Sequence, residues 1–426
     1  GWAMSRFTGL WTGLKCVTQV VESSSSVEID PERVSIILPE AYEMPTGGLN
    51  IRCPDTPLEQ EARMVNHKWY AALDYVRSNR LNRIVFDSPG ARLGIITAGK
   101  AYQDVRQALV DLGLDEKTHQ SLGIRLMKVG CVWPLDAQDA RQFAKGLDEI
   151  LVVEEKRQLL EYALKEELYN WREDVRPKVY GKFDARGNAG GEWSVPRSDW
   201  LLPATSELSP SIVARAIARR LVTLELPEGI RRHIEERIRI IEQKEREAAR
   251  PRVTTERKPW FCSGCPHNTS TRVPEGSRAM AGIGCHYMVQ WMDRDTDTFS
   301  HMGGEGVSWI GQMHYSKDKH VFANLGDGTY FHSGLLAIRA AVAAGANITY
   351  KVLFNDAIAM TGGQPVDGVL SVPRLAQQVM AEGVAETVVV TDDPEKYRDQ
   401  SVELPDTVEV YDRSELDRVQ RRLRDT

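Results

Sequence analysis

Phe322-Ala323-Asn324-Leu325-Gly326-Asp327-Gly328 runs from an apolar stretch straight into a Gly-Asp-Gly turn. A helix follows, then the strand Thr349 to Phe354, which ends in Asn355-Asp356. An apolar run of this kind reads as a buried strand of a parallel sheet. The turn then puts the Asp327 carboxylate at the carboxyl end of that sheet, where open α/β sheets bind their ligands. Gly326 and Gly328 let the backbone approach a phosphate and feed the N-terminus of the next helix, a ready anion site. Asn355, at the end of the neighbouring strand, can face Asp327 across the gap. A carboxylate, an amide oxygen and a main-chain carbonyl are hard ligands of the kind Mg²⁺ prefers, with diphosphate oxygens and water completing the octahedron. Gly-Asp-Gly alone is often only a turn; with the strand, the helix and Asn-Asp it reads as a diphosphate–Mg²⁺ site.

The same alternation appears upstream. Leu93-Gly94-Ile95-Ile96-Thr97-Ala98-Gly99 reads as a buried strand, and Tyr102, Val105, Ala108, Leu109 and Leu112 then recur at helical spacing until Gly113. A strand near Ile124 to Val129, a helix from Ala137 to Leu147, the strand Ile150 to Val153 and a long helix to about Trp171 continue the pattern. Together they predict a mainly parallel α/β domain over 86–180. Residues 1–85 read as mixed structure, with a strand at Val34 to Leu38 and a helix over Pro54 to Tyr75. Residues 181–259 read as an excursion loop followed by helices. The second of these, Ile230 to Arg250, alternates its charges and is expected to be a solvated linker helix. Residues 260–426 form the last domain, with further strands near 321–325, 349–354 and 386–391 and a helix from His332 to Ala344.

The composition bounds the answer. With 426 residues about three domains are expected, and 54 Lys plus Arg against 60 Asp plus Glu give a net charge of −6. That mild acidity argues against nucleic acid as the main partner. No apolar run approaches the ~20 residues of a membrane span, and no signal layout opens the chain. A cytoplasmic protein is expected, with no membrane partner. The chain opens without Met on an apolar stretch, Gly1 to Val21, that resembles the tail of a domain begun earlier.

Six cysteines do not make a disulfide framework, but three are clustered: Cys262-Ser263-Gly264-Cys265-Pro266-His267, then Gly282-Ile283-Gly284-Cys285-His286. C-x-x-C places two thiolates within reach of one metal centre. A structural zinc (with His267 or His286 as a fourth ligand), a redox dithiol, an iron–sulfur cluster and plain buried thiols all remain open on spacing. His332 lies just past Gly-Asp-Gly and is the candidate catalytic residue, although a lone histidine there more often caps or fills a core. Gly303-Gly304-Glu305-Gly306 either carries backbone close to a cofactor or is only a loop. Glu154-Glu155 at a strand end is most simply a helix N-terminal turn.

FCSGCPHN, MGGEG, LGDGTYFHSG and NDAIAMTGGQ, in this order, resemble the thiamine-diphosphate half of the 2-oxoacid:ferredoxin oxidoreductases, most closely the indolepyruvate type in its long fused bacterial form. The segment from Gly1 to Val27 is similar to the end of that family's pyrimidine-binding domain, and ARLGIITAGKAYQDVRQAL to its transketolase C-terminal-like domain. The resemblance implies transketolase-like parallel-sheet domains that bind thiamine diphosphate. It divides the chain into 1–85 (pyrimidine-domain tail and connection), 86–180, a loop and helical linker over 181–259, and a diphosphate-binding domain over 260–426. It also implies Mg²⁺ held by Asp327, Asn355 and the Ala357 carbonyl. Gly304, Glu305, Gly306, Gly326, Gly328, Thr361 and Gly362 would lie against the cofactor, and Cys262, Cys265 and Cys285 would hold a [4Fe–4S] cluster. The activity implied is oxidative decarboxylation of a 2-oxo acid to CO₂ and acyl-CoA, with electrons passed to ferredoxin by a homodimeric enzyme.

The chain departs from the family pattern in two ways. No cysteine follows Cys285 to act as a fourth ligand, and the glutamate that activates the aminopyrimidine belongs to a domain expected before Gly1. The chain therefore reads as an internal segment, inactive when isolated. Two other readings compete. One is a thiamine-diphosphate decarboxylase without electron transfer; the other is a zinc-stabilised interaction module.

Overall fold

β2 (Leu93–Ala98) and β4 (Glu149–Val153) are almost wholly buried, and their alternating side chains divide one sheet's packing into two layers. A computed structural model of the chain describes residues 1–114, 116–184, 200–249, 257–397 and 403–426. The chain separates into two units, 1–252 and 253–426.

In the first unit β1 (Arg83–Phe86), β3 (Ile124–Val129), β2, β4 and β5 (Lys178–Tyr180) lie side by side in that order. All neighbours are parallel except β1 with β3. Leu93, Ile95, Leu151 and Val153 face one layer, with the helices Lys100–Asp111 and Pro210–Leu221. Ile96, Ile150 and Val152 face the other, with Ala137–Ala144 and Leu160–Tyr169. Period-two alternation thus builds a three-layer α/β unit from continuous apolar strands. Gly94 has to be glycine, because a Cβ there would sit 2.4 Å from Leu147 Cδ1 and 2.8 Å from Phe143 Cζ.

The helices expected as a linker belong to this unit. Val213, Ile217, Leu221 and Ile234 share the first layer's core, with Ile230, Ile238 and Ile241 partly buried beside them. Only Ile234 of the helix Glu228–Ala248 is fully buried, so its charged face is solvated as its alternating signs predict. The expected excursion loop falls largely on 185–199, outside the described residues.

Two sequence expectations are corrected. Val34 to Leu38 is not a strand; Val34, Ile36, Ile37 and Leu38 are exposed. The Ile37 amide pairs with a side chain instead: its N–H donates to Asn79 Oδ1 at 2.9 Å and its carbonyl accepts from Asn79 Nδ2 at 2.7 Å. The helix after Glu154-Glu155 starts only at Leu160. The Glu154 carboxylate accepts the N–H groups of Leu159, Leu160 and Glu161 at 2.9–3.0 Å, capping the helix from outside it.

In the second unit β7 (Thr296–Phe299), β6 (Ala279–Ala281), β8 (Val321–Gly326) and β9 (Ile348–Leu353) form an all-parallel sheet in that order. β8 is interior and buried up to Leu325. Met280, Trp309, Val321 and Ala323 pack in one core cluster, and Leu325, Tyr330, Ile338 and Val379 in another. The helix expected from His332 begins as a wide π turn, Tyr330–Gly334, and becomes regular over Leu335–Ala343. β10 (Val388–Thr391) and β11 (Glu409–Asp412) make a separate parallel pair. Among the described residues no helix is long and apolar enough to cross a membrane.

Candidate active site at the carboxyl ends of β8 and β9

β8 delivers Asp327 to the carboxyl end of the second unit's sheet, where the side chain is buried. Asp327 Oδ1 accepts the Gly328 N–H at 2.8 Å. Oδ2 accepts two N–H groups from the loop after β9, Asn355 at 2.9 Å and Asp356 at 2.7 Å. One carboxylate therefore ties the ends of two adjacent strands, which are already in register at Gly326 and Leu353. Asp356 has φ 56°, a left-handed conformation that Asp tolerates, and this aims two successive N–H groups at one oxygen. Asn355 Oδ1 accepts the Ala357 N–H at 3.1 Å, an Asx turn that holds the loop open toward solvent.

The donor set is chemically suited to a magnesium diphosphate. Asp327 Oδ1 has only its neighbour's N–H, Asn355 brings an amide oxygen on an exposed loop, and Ala357 follows two residues later. Space is also kept tight there, since a Cβ on Gly328 would lie 2.9 Å from Ile358 Cγ1. The loop closes on itself beyond this point. The Ile358 N–H donates to the Gln364 carbonyl at 2.8 Å, and Gln364 Nε2 to Thr361 Oγ1 at 2.5 Å. Thr361 and Gly362 are exposed, and Gly362 has φ 125°.

His332 is exposed in the π turn, with Nδ1 2.5 Å from Ser333 Oγ. A Cβ on Gly303 would meet that same Ser333 Oγ at 2.1 Å, so the Gly303–Gly306 loop lies directly against the turn that follows Asp327. Within this loop Glu305 differs from its expected role as one element of a glycine loop. It is 1 % exposed, and its Oε2 accepts the Gly303 N–H at 2.7 Å. Burial pushes its carboxyl above the usual range, opposed by backbone N–H groups including that of Ile283. The Glu305 carbonyl is held by Tyr350 Oη at 3.0 Å.

The three clustered cysteines of the second unit lie on two segments, Cys262 and Cys265 before β6 and Cys285 after it. The Cys265 N–H donates to the Cys262 carbonyl at 3.1 Å, and Cys265 packs on Phe261, Val289 and Met292. Cys285 opens a short 3₁₀ turn. All six cysteines are free thiols. Among the described residues no three His, Cys, Asp or Glu side chains are gathered so as to hold a metal ion.

His286, weighed in the sequence only as a zinc ligand, is instead a buried neighbour of the strand ends. Its Cε1 lies 3.3 Å from where a Gly326 Cβ would be, and its Nε2 2.7 Å from a Cβ on Gly282. Burial pushes the imidazole down to about 3, so it stays neutral. His267 meets it edge-on, with ring centroids 5.7 Å apart. Asn324 was missed by the sequence reading. It is fully buried on β8, and both its side-chain polar atoms lack a partner. Its only signal was an amide inside an otherwise apolar strand.

A cavity of about 1240 Å³ lies elsewhere, in the first unit. Buried Arg220 lines it, stacked 3.7 Å over Tyr180 and ion-paired to Glu149 and Asp184 at 2.6 Å each. Those pairs use the guanidinium up, which makes this a structural centre rather than the seat of the chemistry.

Residues 82–250 match the indolepyruvate ferredoxin oxidoreductase middle domain, and residues 282–396 match the thiamine pyrophosphate enzyme C-terminal TPP binding domain. The chain is 28% identical over 320 residues to the indolepyruvate oxidoreductase subunit IorA of Thermococcus kodakarensis, covering 70% of this chain and 43% of that protein. It is 27% identical over 363 residues to the same subunit of Pyrococcus abyssi, covering 79% of this chain and 50% of that protein. It thus spans about half the length of these relatives, or less. A solved 2-oxoglutarate:ferredoxin oxidoreductase from Magnetococcus marinus aligns at 17% identity and a TM-score of 0.26, over 42% of this chain and 26% of that one, too slight a likeness to carry an argument. The two matched domains and the relatives agree: the chain is similar to indolepyruvate ferredoxin oxidoreductases over most of its length.

Proposed function

We propose that the chain forms the thiamine-diphosphate-binding part of an enzyme that oxidatively decarboxylates an indolepyruvate-type 2-oxo acid, with CoA taking the acyl group and ferredoxin the electrons. The observation that carries this reading is the Asp327 carboxylate, buried at the strand ends and holding the Asn355-Asp356 loop. Thiamine diphosphate, when bound, supplies the nucleophilic carbon and electron sink that this decarboxylation needs.

The chain's own residues position and balance charge. Asp327, Asn355 and the Ala357 carbonyl would hold Mg²⁺. Gly326 and Gly328 let the backbone close on the diphosphate, and Gly304, Gly306, Thr361 and Gly362 complete its surroundings. His332, exposed beside Ser333, is placed to carry a proton at the mouth of the site.

The cysteines fit less well. Cys262, Cys265 and Cys285 offer three thiolates where a [4Fe–4S] cluster takes four, and no three such side chains are gathered among the described residues. Electron delivery to ferredoxin rests on the family alone.

Under the same reading, residues 1–85 belong to a pyrimidine-domain tail, 86–180 and 181–259 to the middle region, and 260–426 to the diphosphate domain. The whole enzyme would be a cytoplasmic homodimer, and six free thiols agree with a reducing compartment. Calorimetric titration with thiamine diphosphate and Mg²⁺ tests the reading directly. Saturable binding by the chain, lost in Asp327→Ala, is expected; equal binding by both proteins would overturn it.

A further inference from the structure

The cavity of about 1240 Å³ in the first unit carries charges that do not cancel. Six basic and four acidic side chains line it, in a chain whose net charge is −6. Each of the four acids already has an arginine. Asp148 pairs with Arg92, Asp174 with Arg172 and Glu149 with Arg220, while Asp184 is shared by Arg219 and Arg220. Three cations of the lining are left over. Lys145 and Lys178 form no ion pair among the described residues, and Arg176 meets only the Tyr169 carbonyl and ring. All three are exposed. Cations gathered in one concavity raise the local concentration of anions.

The wall also offers aromatic surface. Trp171, half-buried just past the helix Leu160–Tyr169, lines the cavity. So does Tyr180, although the Arg220 guanidinium covers one of its faces at 3.7 Å. Sites for drug-sized ligands enclose about 300–1,000 Å³, so there is room for a molecule with both a ring system and a charged tail. Glu149 and Lys178 are the first residues of β4 and β5, which places the cavity at the amino ends of these strands. Open α/β sheets carry their chemistry at the opposite end. A ligand here is therefore held, not converted.

We propose that this cavity is a nucleotide-binding site, in which Lys145, Arg176 and Lys178 receive the phosphates and Trp171 stacks on the base. Both halves of the ligand are needed to match the lining. A neutral aromatic compound leaves the three cations without a counterion, and a bare phosphate leaves Trp171 without a partner. The site is separate from the diphosphate site of the second unit and does not depend on the thiamine-diphosphate reading.

Calorimetric titration of the 426-residue chain with ADP, in magnesium-free buffer, tests the proposal. Saturable binding of one ADP per chain is expected, and no binding overturns it. Inorganic pyrophosphate, which has the charge without the base, is expected to bind about fivefold or more weakly than ADP, since stacking of one base contributes at least that much. Equal affinities for the two overturn the nucleotide assignment. The double variant Lys145→Ala/Lys178→Ala removes two exposed side chains and is expected to weaken ADP binding about tenfold or more. Trp171→Leu is expected to weaken ADP about fivefold and to leave pyrophosphate unchanged. Circular dichroism checks that each variant is folded. Should Trp171→Leu not fold, the comparison of ADP with pyrophosphate in the unsubstituted chain decides the role of the base. Unchanged ADP affinity in the double lysine variant overturns the proposal. Asp327→Ala is expected to bind ADP as the unsubstituted chain does; loss of ADP binding there puts the nucleotide in the second unit and overturns the proposal as well.

Discussion

Asp327 Oδ2 accepts the N–H groups of both Asn355 and Asp356, so one buried oxygen organises the loop that carries the proposed magnesium ligands. The carboxylate holds the loop and, under the proposed function, also faces the ligand. Replacing it separates the two.

Asp327→Asn keeps an acceptor oxygen but loses the charge. Hydrogen bonds to charged groups are worth about 1.5–3 kcal/mol, so the second unit should lose stability of that order. Binding of thiamine diphosphate with Mg²⁺ should fall by more than the stability loss accounts for. Denaturant titration and calorimetry on the same protein check this, and unchanged affinity would show that Asp327 only holds the loop.

Arg220 donates to Glu149 and Asp184 while stacked on Tyr180, all of them in the first unit. Arg220→Ala leaves the Glu149 carboxylate buried without its cation, while Asp184 keeps its pair with Arg219. Breaking such a network from one side costs about 3–5 kcal/mol. Combining the change with Glu149→Gln should restore part of the loss, measured as the shift in denaturation midpoint of the first unit.

Glu154 caps the helix Leu160–Tyr169 by accepting three N–H groups. Glu154→Ala removes all three acceptors and should cost about 1–2 kcal/mol or more, the range of a lost cap. Glu154→Gln should cost less. Hydrogen exchange at Leu160 and Glu161 should speed up before exchange deeper in the helix does.

His320 is buried with its Nε2 2.7 Å from Thr349 Oγ1, and burial, aided by Arg424 and opposed by Asp425, pushes it down to about 4. Its unfolded value is about 6.5, so the unfolded chain binds the proton first as pH falls. The contribution to stability is therefore full above about pH 6.5 and is lost on descending from there through 4. His286, pushed down to about 3, adds a loss of the same sign. His320→Gln should flatten the fall in denaturation midpoint between about pH 6.5 and pH 4.5. A slope identical to the unsubstituted chain's would refute the assignment.

Local patterns carried much of this fold. Leu93 to Ala98 and Val321 to Gly326 are apolar but for Thr97 and Asn324, because strands covered on both faces need no polar side, and Gly-Asp-Gly marks a chain leaving a sheet. The pairing of Asp327 with the Asn355-Asp356 loop was legible in outline for the same reason, since both follow strands that only a parallel sheet can bring together. The apolar face of Ile230, Ile234, Ile238 and Ile241 was legible too. That it joins the core of the first unit instead of bridging two units depends on the Pro210–Leu221 helix lying beneath it.

Other features had no local signature. Val34 to Leu38 has the composition of a strand, but a strand exists only beside a partner, and Ile37 is paired with the Asn79 side chain. Glu154 looked like part of a helix's first turn, and only the folded chain shows it capping that turn from outside. Glu305 looked like one more loop residue beside three glycines. What it holds is decided by which strand ends are neighbours, because burial and hydrogen-bond partners far apart in sequence are properties of the packed sheet. By itself the sequence determined the interior strands, the turn after β8 and the chemical kinds present at the site. Tertiary structure alone decided which of those groups are buried, which are satisfied, and which act on one another.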